Sequence, residues 1–67
     1  MEFVLKGENI RLGQLLKASG LAESGAFAKE IIQDGLVTVN GQICTMRGKK
    51  IIKGDIIAFS GEKVEVV

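Results

Sequence analysis

The spacing of apolar positions changes along this chain of 67 residues. Phe3, Val4 and Leu5 form an unbroken apolar run that Gly7 ends, which predicts a short strand. From about Arg11 to Ala18, Leu12, Leu15 and Leu16 recur at i, i+3 and i+4, the spacing of one helix face, and Ser19-Gly20 supplies a stop. Ser24 then stands at an N-cap position ahead of Phe27, Ala28, Ile31 and Ile32, which share the buried face of a second helix ending at Gly35. With only a few residues between them, the two helices should pack as a hairpin.

After Gly35 the pattern becomes that of strands. Leu36-Val37-Thr38-Val39 and Gln42-Ile43-Cys44-Thr45 flank Asn40-Gly41, the strongest short signal for a two-residue β-hairpin. That register sets Val39 opposite Gln42 and Val37 opposite Cys44. Arg47-Gly48-Lys49-Lys50 follows as a basic connection. Ile51-Ile52, Ile56-Ile57-Ala58-Phe59 and Lys63-Val64-Glu65-Val66-Val67 predict further strands of the same sheet, separated at Lys53-Gly54-Asp55 and Ser60-Gly61-Glu62. The expected fold class is α+β: a two-helix hairpin packed on a small, mainly antiparallel sheet, as one domain over residues 1–67.

Composition narrows the function. A domain of this size hides only about 60% of the surface its unfolded chain exposes, so the core claims nearly every large apolar side chain and leaves few to line a deep substrate pocket. The chain has no histidine, which removes the usual general base near neutral pH and the commonest metal ligand. No metal, cofactor or small-molecule substrate is expected. Cys44 is the only cysteine, so no internal disulfide can form, in keeping with a reducing cytoplasm. On a strand opposite Val37, with no histidine to activate it, Cys44 reads as a small buried filler rather than a nucleophile. Asp55 and Glu62 fall in turns and make no acid-base pair. No Gly-Lys-Ser or Gly-Lys-Thr follows a strand, so a phosphate loop is absent. The N-terminal segment, acidic at Glu2, is not a signal peptide, and no apolar stretch approaches the roughly 18 residues of a bilayer span. These exclusions favour a cytoplasmic binding module over an enzyme, with no membrane partner.

The nine basic and eight acidic residues leave a formal net charge of only +1, which by itself argues against a polyanionic partner. Their positions argue otherwise. Arg47, Lys49, Lys50 and Lys53 follow one another without an intervening acid, Arg11 and Lys17 flank the first helix in the same way, and Lys29 lies early in the second. The acids gather at Glu2 and Glu8, at Glu30 and Asp34 late in the second helix, and at Glu62 and Glu65. A local basic face on a nearly neutral protein is the consequence. The 47–50 segment also fits a solubilising connection that guards a sheet edge. At the start of the second helix, Ser24-Gly25-Ala26 offers free backbone amides beside Lys29, which fits either an ordinary cap or an anion site.

Taken together, Ile10-Arg11-Leu12-Gly13-Gln14-Leu15-Leu16-Lys17, Leu21-Ala22-Glu23-Ser24, Ala28-Lys29, Gly35-Leu36-Val37-Thr38-Val39-Asn40-Gly41 and Lys53-Gly54-Asp55-Ile56-Ile57 resemble the S-four RNA-binding domain, the alpha-L motif. The likeness is greatest to small stand-alone bacterial members. Those share a Leu-Gly-Gln-x-Leu-Lys helix, a Ser-Gly-Gly-x-Ala-Lys helix start and an Arg-Gly-x-Lys segment, matched here at 12–17, 24–29 and 47–50. The resemblance implies an alpha-L fold with its motif at about residues 10–60, and an RNA-facing surface made by the helix pair and the loop against it. Carried over by position, that surface implicates Arg11, Ser24, Gly25, Lys29, Arg47, Lys49 and Lys50. Enzyme-attached members often place Arg or Lys where this chain has Gly25, Glu30 and Gln33, so the resemblance shifts weight to the 47–50 segment.

The expected function is therefore a non-catalytic module that recognises structured or double-stranded RNA, ribosomal or transfer RNA among the candidates, mainly through its phosphates. Ribosome association would be in keeping with it. The alternative is a protein-interaction module docking on a ribosome or RNA enzyme through an exposed apolar patch. A β-grasp sulfur carrier would share the short first strand and the Gly-Asp-Ile-Ile turn, but it ends in Gly-Gly where this chain has Glu65-Val66-Val67.

Overall fold

In the computed structural model, which describes all of residues 1–67, both helices form where the periodicity places them. Helix α1 spans Leu12–Ser19 and buries Leu12, Leu15 and Leu16, with Gly20 as its left-handed C-cap at φ +87°. Only a residue without a Cβ adopts that conformation at little cost. Helix α2 spans Gly25–Gln33 and buries Ala28, Ile31 and Ile32. Ser24 is its N-cap, its hydroxyl accepting the Phe27 N–H at 3.1 Å. Between the helices, Leu21 and Ala22 are buried, and the Ala22 N–H donates to Leu16 O. The connection is thus part of the core rather than a free loop.

The strands are β1 (Glu2–Phe3), β2 (Ile10–Arg11), β3 (Val37–Val39), β4 (Gln42–Ile43), β5 (Lys50–Ile51), β6 (Ile56–Phe59) and β7 (Glu62–Val66). Five of them build one sheet in the order β1-β7-β6-β3-β4, antiparallel except for the parallel pair β1 and β7. Val39 lies opposite Gln42, as the Asn-Gly turn demands, and the Cys44 N–H donates to Val37 O at 3.0 Å. Asn40 and Gly41 both have positive φ, and so do Ser60 and Gly61 between β6 and β7. Both hairpins therefore close on two-residue turns whose twist suits the flanking strands.

Two strands depart from the sequence expectation: Ile10–Arg11, where the apolar pattern predicts no strand, and Lys50–Ile51. Lys50–Ile51 does not join the five-stranded sheet but pairs antiparallel with Ile10–Arg11, giving a separate two-stranded ribbon. Ile51 and its partner Ile10 turn inward, where Ile51 is fully buried, so the ribbon covers one end of the core beside α1. Ile52, read as part of that strand, is exposed. Cys44 is half-buried rather than buried, its thiol 3.6 Å from Met46 O. Phe3, Phe27 and Phe59 pack against the core, and the rings of Phe27 and Phe59 meet edge to face at 6.1 Å.

All fifteen buried residues are apolar, so no interior charge has to be neutralised and no buried polar side-chain atom lacks a partner. The polar chemistry that ties the sheet together lies at its margin. Asn40 Nδ2 donates to Asp55 Oδ1 and Asn40 Oδ1 accepts the Ile56 N–H, both at 2.9 Å. Asp55 Oδ2 accepts the Ile52 N–H at 2.9 Å. These bonds hold the β3–β4 turn against the chain entering β6. Asn40→Gly keeps the positive φ and removes only the clamp, so it should cost about 1 kcal/mol in urea unfolding. Asp55→Ala should cost a similar amount, and the double variant less than the sum of the two, because both remove the Asn40–Asp55 bond.

Candidate functional site

Helix α1 begins without a side-chain cap. Its first amides find their acceptors in the turn before β5: Leu12 N–H donates to Lys49 O at 2.9 Å and Gly13 N–H to Arg47 O at 3.0 Å. Between these two, Gly48 O accepts from Arg11 Nη1 at 2.9 Å. Three successive carbonyls thus face the start of α1. The turn itself closes through Lys49 N–H to Met46 O at 3.1 Å. A segment with no regular structure of its own is held against a helix by main-chain bonds, and Arg11 is oriented by the same contact.

This docking forms one side of a groove of about 420 Å³. Its cations come from four places: Arg11 at the end of β2, Lys17 on α1, Lys29 on α2 and Arg47 on the turn. No carboxylate and no apolar side chain lines it. Helical spacing explains the arrangement. Gly13, Gln14 and Lys17 lie on the face of α1 away from Leu12, Leu15 and Leu16, and Gly25 and Lys29 stand one turn apart on α2. Gly13, Gly25 and Gly48 keep the walls low. At Gly25 a Cβ would meet no atom within 4 Å, whereas at Gly13 and Gly48 it would make ordinary contacts with Arg47 and Arg11. Beside Gly25, the Gly25 and Ala26 amides precede the first N–H of α2 that has an acceptor, the Phe27 N–H on Ser24 Oγ.

Of the residues expected from the sequence, the groove brings together Arg11, Gly25, Lys29 and Arg47. Ser24 does not line it; its hydroxyl is engaged in the cap. Lys50 lies opposite Arg11 in the small ribbon, outside the groove lining, and Lys49 lines a different hollow. The 47–50 run is therefore divided among the groove, a second hollow and the ribbon. Gln14 and Lys17 also line the groove, and the signal that locates them is their spacing on the face of α1 opposite the leucines. Gly48 contributes through its carbonyl, for which a sequence carries no signal.

The comparisons with known proteins agree with this architecture. A model of the S4 domain family matches residues 3–67. YbcJ of Escherichia coli is 42% identical over 62 residues, covering 92% of this chain and 89% of its own. RlbA of Bacillus subtilis is 37% identical over 54 residues, covering 81% of this chain and 76% of its own. The solution structure of YbcJ, described as an alpha-L motif, superposes with a TM-score of 0.75 over 98% of this chain and 85% of that one. With the helix pair, the mixed sheet and the docked turn all in place, the chain belongs to the S4 domain family.

Proposed function

We propose that this chain is an RNA-binding module without catalytic chemistry, and that it holds structured or double-stranded RNA by its phosphates in the groove between α1, α2 and the 47–48 turn. The observation that carries this reading is the lining of that groove, four cations with no acid and no apolar side chain. Arginine and lysine at separate points around a glycine-walled hollow suit oxyanions, and the Gly25 and Ala26 amides add donors at a helix start. The protein offers little to stack on bases, because Phe3, Phe27 and Phe59 all pack against the core. A rigid A-form backbone is the matching ligand.

Relatives support the class of partner. YbcJ is named for RNA binding and its alpha-L motif is described as involved in it, while RlbA is named for ribosome maturation. Ribosomal RNA is accordingly the first candidate, transfer RNA the second, and the cytoplasm the setting. Within the site, Arg11, Lys29 and Arg47 contact phosphate, Gly25 lets it approach, and Ser24 acts by holding the first turn of α2 in position. Lys50 extends the basic surface beside Arg11, whereas Lys49 lines the other hollow and stays outside this contact.

Neutralising about four phosphates should make log affinity for duplex RNA fall against log salt with a slope between about −3 and −4. The double substitution Lys29→Gln, Arg47→Gln leaves the carbonyl of residue 47 in place and should reduce that slope by about two. Fluorescence anisotropy at several salt concentrations measures both, and an unchanged slope would sink the proposal. Gly25→Arg places a cation in open space at a position whose φ suits any residue. It should tighten duplex-RNA binding and steepen the slope by about one. Weaker binding by this variant, with the fold intact, would mean that RNA does not enter the groove at α2.

A further inference from the structure

A second hollow, of about 300 Å³, shares no lining residue with the basic groove. It lies along β4, the last strand of the five-stranded sheet, and Val39, Ile43, Cys44 and Met46 supply its apolar wall. Ile43 and Met46 are each 67% exposed, which is unusual for large apolar side chains in a protein with so small a core. The main chain is open there as well. Val39 and Gln42 flank the two-residue turn, and the Cys44 N–H returns to Val37 O. In such a ladder the intervening Ile43 directs its N–H and C=O away from β3, toward an edge where no strand follows.

The charge of this edge selects its occupant. Lys49 is the only charged residue lining the hollow, and no carboxylate accompanies it. A second copy of the chain would bring another Lys49 to the same place, like charge to like. RNA would find one cation, no aromatic surface and a wall of aliphatic and sulfur-containing side chains. An extended peptide with apolar residues beside an acid matches every group present, and the flexible Met46 thioether can adapt to its shape.

We infer that the β4 edge is a docking site for an extended segment of a protein partner, which adds as a further strand, covers Ile43 and Met46, and sets an Asp or Glu against Lys49. The site shares no lining residue with the proposed RNA groove, on which this inference of joint occupancy rests, and the two ligands bind together.

The test is selection of a random dodecapeptide display library on the intact chain, followed by titration of the enriched synthetic peptides into ¹⁵N-labelled protein. Enriched sequences should alternate apolar residues and carry an acid. Their binding should slow hydrogen exchange at the Ile43 amide, as strand addition requires, and weaken about ten-fold with Lys49→Glu or with Ile43→Lys. Met46→Lys, at an equally exposed position, serves if Ile43→Lys alters the fold. A duplex RNA added at saturation should leave the amides of Ile43 and Thr45 unshifted. The proposal is overturned by any of four results: no enrichment, peptides indifferent to these substitutions, RNA that displaces the peptide from β4, or self-association of the chain through the same amides.

Discussion

Three carbonyl groups, those of Arg47, Gly48 and Lys49, carry more of this structure than their place in a short turn suggests. Helix α1 starts with orphan amides and no side chain to cap them, and Leu12 and Gly13 obtain acceptors only because the turn lies across them. The same contact brings β5 alongside β2, which buries Ile51, and it gives Arg11 a fixed partner. Because the bonds run through the main chain, the side chains of residues 47 and 49 remain free to serve other ends. Arg47 enters the basic groove and Lys49 the apolar edge. The helix, the ribbon and the groove are thus consequences of one docking event.

The rest of the molecule follows from a strict division between interior and surface. Every buried residue is apolar, so the small core holds together by area and packing alone and spends no residue on internal charge. All the ionisable groups are left for the surface, where position rather than net charge decides their effect. Four cations gather where α1, α2 and the turn meet, and the acids of the chain contribute nothing to that lining. A protein with a formal net charge of +1 therefore presents a groove of one sign.

How much of this was legible beforehand differs from element to element. The leucine spacing at 12, 15 and 16 located α1, Ser24 and Gly35 bracketed α2, and Asn40-Gly41 set the hairpin register, because each of these signals is local and has one stereochemical solution. Ile51-Ile52 misled for the opposite reason. An apolar pair announces a strand but not its neighbour, and Ile10, which supplies that neighbour, sits forty-one residues earlier in the chain. Clusters of charge had the same ambiguity: Arg47, Lys49 and Lys50 stand close together in sequence, yet Arg47 lines the basic groove, Lys49 a second hollow, and Lys50 stands opposite Arg11 in the ribbon.

By itself, then, the sequence determined both helices, the two tight hairpins, the α+β class, the family likeness and a set of basic residues from which a binding face could be made. Periodicity, turn chemistry and charge are properties of residues and their near neighbours, so they survive without coordinates. Only the tertiary structure decided which of those bases meet, because convergence depends on contacts between distant segments. Arg11 and Arg47 become neighbours through backbone carbonyls that any residue carries. No side-chain identity at 47, 48 or 49 encodes that contact.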